Sequence, residues 1–461
     1  MEKLTLRQLL EAVNGTLLGS FDDLDATVTE VTTDSRNVPD GSLFIPLVGE
    51  RFDGHGFINS ALERGAAGCL TARERESYQP EKFYIKVRST HRALWELARY
   101  YREQFPIPFI AVTGSVGKTT AKDMIAAVLG ARYKVHKTEG NFNNDIGVPL
   151  TLLKLERQHE VCVVEMGMDH AGEIDNLAGL AEPDIAVITN IGDAHIENLG
   201  SREAIFRAKC EILPHLKPTG TAIFNGDDPM LSTLRDTLPQ RTLFVGRGED
   251  LDYTAYDVES AAASIRCRVR TPNSQFQADI PALGEHMVYP TLLAAAVGEE
   301  LGLAADEIAR GIGAFLPTKM RMNILRCKGD IVILNDAYNA NPQSMRAAAA
   351  VLGGAHGRRK VAVVGDMKEL GPNSEQFHRT VGACFAQAGT DRLIAIGDLA
   401  RFMAEGARDA GLEQAGYFHT PDEARDALLR EVRSGVTILV KASRSMAFEK
   451  IVEFLQEHIP E

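Results

Sequence analysis

Cysteine is sparse in this chain and shows no pairing pattern. Cys69, Cys162, Cys210, Cys267, Cys327 and Cys384 are scattered, and no two stand in a CxxC spacing. Several fall inside apolar, strand-like runs, so the set reads as buried thiols in a reducing compartment rather than as a framework of bridges. Long hydrophobic runs are also missing: no stretch approaches the ~18 apolar residues of a membrane span. Residues 1–20 carry charges and an amphipathic pattern in place of an apolar signal core, which leads to the expectation of a cytoplasmic protein. Nor is there an excess of positive charge. With 50 basic against 63 acidic residues the net charge is −13, which argues against a nucleic-acid or membrane-surface binder while leaving room for a basic pocket. Tandem repeats and low-complexity segments are absent.

What remains is the composition of a soluble globular protein, 44% apolar and 25% charged over 461 residues. That length is too great for one core and suggests about three domains. The stretch Ala111–Thr120, AVTGSVGKTT, organises the rest. An apolar run from Ile107 to Val112 precedes it, and helix periodicity from Thr119 to Leu129 follows. In a strand–glycine turn–helix unit, backbone N–H groups and the helix dipole converge on one spot suited to phosphate. Gly114, Ser115, Val116, Gly117, Lys118, Thr119 and Thr120 form the expected cradle, with Lys118 for the β and γ oxygens and Thr119 for Mg²⁺. The position six before the lysine is Val112, so this loop is shorter than the standard P-loop.

Strand-like runs at 161–165, 184–189, 220–224 and 242–245 alternate with helical runs such as 202–213, which predicts a mostly parallel sheet covered by helices. Ligands in such sheets bind beyond the carboxyl ends of the strands. Glu165, Asn190 and His195 follow strand ends and should face the loop. Short β-like alternation occupies 253–280, helical runs occupy 288–301 and 305–315, and Leu316-Pro317-Thr318 reads as a hinge. Beyond it, runs at 331–335, 360–364, 393–396 and 436–440 predict a second, smaller α/β domain. Before the loop, residues 1–88 form a first block. Its glycines and polar residues, among them Ser35, Arg36, Arg51, Asp53, Gly54 and His55, suit either a small-ligand site or ordinary turns.

Three other groups could do chemistry. Glu165 is placed as a Mg²⁺ ligand should be, whereas His195 would normally be a structural histidine because that ion prefers oxygen. Lys209, mid-helix in AKCEI with Glu211 nearby, reads on its own as part of a solvated helix face. Asn141, Asn143 and Asn144 stand on one loop and suggest recognition of a polar ligand. In DAYNANPQS, Asp336, Asn339 and Asn341 lie at a strand's carboxyl end, where a helix cap explains one asparagine and not the set.

Taken together, these motifs resemble the Mur ligases of bacterial cell-wall synthesis over nearly the whole chain. TGSVGKTT at 113–120, EMG at 165–167, TNIGDAHIE at 189–197, AKCEI at 208–212, GEH at 284–286, MRM at 320–322, DAYNANPQSM at 336–345 and KASRSM at 441–446 occur in that order. GNFNNDIGVPLT, DAYNANP and GDMKELG look most like the member that joins D-alanyl-D-alanine to UDP-N-acetylmuramoyl-tripeptide. The rival reading is another Mur-type or folylpolyglutamate-type ligase. The resemblance implies a three-domain α/β fold: 1–88 for the UDP-sugar-peptide, 89–316 as a P-loop ATPase domain, and 317–461 as a Rossmann-like domain. It further implies a monomeric, ATP-dependent ligase working through an acyl phosphate. Thr119 and Glu165 would hold one Mg²⁺, and His195 with a carbamylated Lys209 would serve a second. His286 would stack on adenine, Arg321 reach the phosphates, and Asp336 and Asn339 contact the nucleotide. Ser35, Arg36, Arg51, Asp53, Gly54 and His55 would meet the uridine nucleotide, and Asn141, Asn143 and Asn144 the muramoyl-peptide. Met287 and Pro290 stand where the family commonly has asparagines, and Ala442 where glycine is usual.

Overall fold

The computed structural model describes residues 1–49 and 52–459, and its architecture follows from which runs are buried on two faces. In the central sheet, the strands Phe109–Thr113 and Val161–Glu165 are buried at every position. Their alternate residues feed two different cores: Phe109, Ala111, Cys162 and Val164 one, Ile110, Val112, Val161 and Val163 the other. A strand buried on both faces reads as a continuous apolar run, and helices must cover it on each side. On the second face lie the helices Lys118–Leu129, Val288–Glu300 and Ala305–Gly313. On the first lie Thr90–Arg102, Glu173–Ala181 and Arg202–Cys210.

Among the described residues the central sheet has nine strands. Phe109–Thr113 is flanked by Val161–Glu165 on one side and Ile185–Ile188 on the other, both parallel to it. The chain first builds outward past Val161–Glu165 to Val135–Lys137, then crosses back to Ile185–Ile188 and continues to Thr221–Asn225 and Arg241–Gly246. That reversal opens a crevice at the carboxyl end of Phe109–Thr113, where the glycine loop emerges. The β-like alternation at 253–280 is an antiparallel extension of the same sheet, with Ile265–Arg270 strictly alternating between buried and exposed.

Among the described residues, five N-terminal strands form a small sheet, parallel except for Thr16–Leu18 against Phe83–Lys86, and Leu4–Thr5 pairs separately with Thr27–Val28. One face of the small sheet, with Leu43, Leu70, Phe83 and Ile85, is continuous with the central domain's first core, while Phe44, Cys69 and Tyr84 on the other face form a separate small core with Ile58 and Leu62. After the hinge, six strands build a sheet that is parallel apart from its edge, Asn323–Cys327. Again the faces alternate: Ala362 and Val364 pack under the helices Pro342–Gly354, Ser374–Gln387 and Ala400–Asp409, while Val361 and Val363 pack under Pro421–Glu431 and Glu449–Glu457.

Asp366, in the GDMKELG stretch, is a fastening of this last domain. It is 2% exposed, and its Oδ1 accepts from the Leu399 and Ala400 amides at 2.9 and 2.8 Å, where the helix Ala400–Asp409 begins. Asp366→Ala would orphan both amides and remove a charged acceptor, so it is expected to destabilise the domain by about 2–3 kcal/mol. A lowered denaturant midpoint would register the loss; an unchanged midpoint would refute the capping role.

The cysteines are all free thiols. Cys69, Cys162 and Cys267 are buried as expected, but Cys210, Cys327 and Cys384 are only half-buried, because each lies at an element's margin or on a helix flank. No helix among the described residues is long and apolar enough to cross a membrane.

Candidate active site

The glycine loop takes its shape from backbone freedom and from one clamp. Gly114 adopts φ +146°, and a Cβ there would lie 1.9 Å from the Thr189 hydroxyl; Gly117 adopts φ +81° as the cap of the helix Lys118–Leu129. Neither position tolerates an ordinary side chain. Asn190 holds the loop from the adjacent strand end, accepting from the Val116 amide at 3.0 Å and donating to the Val116 carbonyl at 2.8 Å. The interest of Asn190 is thus that it fixes the loop. Lys118 curls over the loop and donates to the Gly114 carbonyl at 2.9 Å. Crowding by protein atoms pushes its ammonium below the usual lysine range, Glu165 pulls the other way, and Arg321 adds to the lowering.

Glu165 is 1% exposed at the end of its strand. Its Oε1 accepts from the Thr119 hydroxyl at 3.2 Å and from the Asn143 amide at 2.8 Å, while the buried Oε2 has no hydrogen-bond partner among the described residues. A buried carboxylate oxygen without a donor, beside a hydroxyl oxygen, is a hard-ligand pair that fits Mg²⁺. His195 stands nearby in left-handed backbone at φ +61°. Its Nδ1 is 2.6 Å from Glu369 Oε2 and 3.1 Å from Asp169 Oδ1, and its presence holds the Glu369 carboxyl below the ordinary range. Asp169 and Glu369 do not stand out as ligands in the sequence; Asp169 belongs to the same domain as His195, whereas Glu369 reaches it from the C-terminal domain.

Lys209 is not on a solvated face. It is 1% exposed in the helix Arg202–Cys210, and burial together with the nearby Lys118 charge drives its amine well below the usual lysine range. Glu211, the apparent solvent-side partner, is used elsewhere: its carboxylate accepts from the Gly172 amide at 2.8 Å and from the Asp175 amide at 3.2 Å, capping the helix Glu173–Ala181.

The C-terminal domain closes one side. Arg321 lies 4.0 Å from the centre of the Tyr338 ring and brings Nη2 to 3.5 Å from the Thr119 hydroxyl. Asp336 is braced internally, accepting from Lys441 Nζ at 2.5 Å and from the Met322 amide at 3.1 Å. Asn339 accepts from the Ala340 amide with its side chain and from Lys441 with its carbonyl. Asn341 is the helix cap, bonded to the Ser344 amide at 2.8 Å.

Two cavities meet here. One, of about 450 Å³, is walled by the glycine loop and by Ser344, Lys368 and Arg444 of the C-terminal domain. The other, of about 850 Å³, is walled by Trp95, Asn141, Asn143, Asn144, Glu165 and Asp169. Lys118, His195, Arg321 and Asn339 line both. Exposed His286 lines a narrow recess of about 110 Å³ with Gly117, Thr120, Asp336 and Lys441, and it also borders a space of about 360 Å³ with Met287 and Pro290. Lys368 and Arg444 were legible only as members of motifs, not as cavity walls.

Ser35, Arg36, Asp53, Gly54 and His55 of the first block lie outside these two cavities. Arg36 pairs with Asp34 through two bonds of 2.9 Å, which hold Asp34 down to about 2. Asp53 caps the turn Gly54–Phe57 and accepts from the His55 amide at 3.0 Å; His55 Nε2 in turn accepts from the Ala72 amide at 3.0 Å. Asp53 and His55 thus hold the turn in place. Arg51 lies outside the described residues.

Comparison with known proteins places this geometry. Residues 27–102 match the model "Mur ligase family, catalytic domain", 112–298 the "Mur ligase middle domain", and 320–444 the "Mur ligase, glutamate ligase domain". The UDP-N-acetylmuramoyl-tripeptide–D-alanyl-D-alanine ligase of Bacillus subtilis is 41% identical over 460 residues, covering 99% of each chain. A crystal structure of MurF from Acinetobacter baumannii superposes with a TM-score of 0.91 at 34% identity, covering 99% of both chains. The MurF ligase of Thermotoga maritima in complex with ADP superposes at 0.82 with 29% identity, covering 94% of this chain and 98% of that one.

Proposed function

Because the chain belongs to the Mur ligase family, we propose that it joins D-alanyl-D-alanine to UDP-N-acetylmuramoyl-tripeptide at the expense of ATP, as a monomer in the cytoplasm. The observation that carries this reading is the junction of two cavities at Lys118, His195, Arg321 and Asn339. One cavity is built on a phosphate loop and the other is large enough for a peptide. A group transferred between them must pass the lysine.

In the proposed reaction the terminal carboxylate of the tripeptide attacks the γ-phosphorus of ATP, the bond to the bridging oxygen breaks, and ADP leaves. The amine of D-alanyl-D-alanine then attacks the acyl carbon, loses a proton and expels phosphate. Two anions must approach in the first step. Lys118 and Arg321, both at the junction, offset that repulsion and stabilise charge that builds up in the transition state. Thr119 and Glu165 would hold one Mg²⁺, and His195 with a carbamylated Lys209 would serve a second; magnesium supplies further neutralisation of the phosphate oxygens when bound. Residues 1–88 would carry the uridine end through Ser35, Arg36, Arg51, Asp53, Gly54 and His55. Asn141, Asn143 and Asn144 would meet the muramoyl-peptide. The central domain, 89–316, would bind ATP, with His286 against the base. The C-terminal domain, 317–461, would bring Arg321, Asp336 and Asn339 onto the nucleotide and exclude water from the acyl phosphate.

Phosphate release by the purified protein tests the assignment. It is expected only when ATP, UDP-N-acetylmuramoyl-tripeptide and D-alanyl-D-alanine are all present. Release without either acceptor, or with a single amino acid serving as well as the dipeptide, would overturn it.

A further inference from the structure

The hinge after Phe315 is tied to the phosphate-loop helix by a contact that the reaction itself does not require. Leu316 is 82% exposed, and Met320 and Met322 adopt left-handed φ of +60° and +53°, so the hinge backbone is held in conformations that cost energy. Within it, the Thr318 hydroxyl donates to Asp123 Oδ2 on the helix Lys118–Leu129. Asp123 is 7% exposed, and its other oxygen receives Lys137 at 2.6 Å and lies 3.2 Å from Lys122. Burial alone would raise its carboxyl; Lys122, Lys137 and Thr318 outweigh that and keep it below the ordinary range. The two lysines already balance the charge, so the bond to Thr318 is an addition that links two domains.

Its position along the helix gives the contact meaning. Thr119 and Asp123 are four residues apart and therefore on one face. Thr119 faces Arg321, and Asp123 faces Thr318, three residues earlier in the hinge. Two contacts in register fix the orientation of a segment as well as its distance. The Arg321 amide also donates to the Thr318 carbonyl at 3.1 Å, so Thr318 and Arg321 form one turn. The same stretch of helix braces Glu165: Lys122 donates to the Thr138 carbonyl at 2.7 Å, and the Thr138 hydroxyl accepts from the Glu165 amide at 3.0 Å.

We propose that Asp123 is a positioning residue that fastens the interdomain hinge to the phosphate-loop helix at Thr318, and so sets where Arg321 stands over the transferring phosphate. The inference rests on the reading above for the identity of that phosphate, but not for the hinge contact. Without the fastening, the C-terminal domain samples orientations in which Arg321 is withdrawn, and only the fastened fraction turns over.

The test uses the full chain with Thr318→Val, which keeps the side chain's shape and removes its donor, and Thr318→Ser, which restores the donor. Thr318→Val should lower kcat by about tenfold, the scale on which losing one buried hydrogen bond to a charged group shifts a two-state population. The Kd for Mg-ADP should stay within about threefold and the melting temperature should hold, because the loop and the core are untouched. Thr318→Ser should recover most of the lost turnover. Small-angle scattering with a non-hydrolysable ATP analogue should give a larger radius of gyration for Thr318→Val than for the unaltered chain. This arm needs no acceptor substrate, so it reads the hinge even if the substrate assignment fails. A Thr318→Val protein with unaltered kcat or an unaltered radius, or a Thr318→Ser protein as impaired as the valine variant, would overturn the proposal.

Discussion

Lys118→Ala is expected to lower turnover by on the order of a hundredfold or more, equivalent to about 2.7 kcal/mol of transition-state stabilisation. The size follows from where the ammonium sits. It lines both cavities and rests on the Gly114 carbonyl within reach of the loop. It is partly desolvated, so a charge there is screened less than one on the surface. Repulsion between a carboxylate and a γ-phosphate grows as they approach, and a fixed cation at the junction offsets it most when they are closest. Its contribution is therefore greater in the transition state than in the bound substrates, which is the condition for an effect on kcat rather than on KM. Steady-state kinetics should show kcat falling while the KM for the tripeptide substrate moves little. Turnover close to that of the unaltered chain would refute the role. A rise in KM alone would mean that the lysine only holds the nucleotide.

Much of the frame behind this expectation is legible in the residue order. Strands covered on both faces are apolar up to their polar carboxyl ends, so the runs at 161–165 and 331–335 coincide with strands Val161–Glu165 and Ile331–Asn335. The glycines at 114 and 117 both serve positive φ, and at 114 a side chain would also strike Thr189; the need for glycine in such a turn is visible without a structure. Tertiary use of polar groups is less visible. Lys209 and Glu211 look like one solvated face, yet Glu211 is claimed by the amides of another helix and Lys209 is left inside. A helix presents the same polar residues whether water or a second helix lies opposite, so only the packing decides. Glu369 and His195 are 174 residues apart, by subtraction, and meet because the hinge folds one sheet edge over another. No local pattern encodes such a pairing. Asn341 sits in a stretch that reads as chemistry and proves to be a helix cap, because caps and ligands are drawn from the same short polar side chains.

The burial of Lys209 leads to the second large effect. Burial and the Lys118 charge lower the pKa of the Lys209 amine well below the usual lysine range, so it loses its proton more readily than an exposed lysine, and the neutral form is a nucleophile. Attack of the neutral amine on carbon dioxide, with loss of one N–H proton, would give a carbamate: an anion with two oxygens near the Lys118 charge. Oxygens of that charge suit a hard divalent ion. Lys209→Arg fixes a cation at this position and cannot form the carbamate, so it is expected to lose turnover by on the order of a hundredfold or more, comparable to removing a charge-stabilising group from an active site. Two further measurements separate the carbamate from a plain structural lysine. Turnover of the unaltered chain should fall in buffer stripped of carbon dioxide and return on adding bicarbonate, and ¹³C-bicarbonate should give a protein-bound carbamate resonance that Lys209→Arg lacks. Acid should act in the same direction as stripping, since protonation removes the nucleophile; the loss should set in as pH falls through the lowered amine pKa and be absent above it. Turnover indifferent to bicarbonate, with no resonance in the Mg-nucleotide complex, would show that Lys209 works as a bare amine.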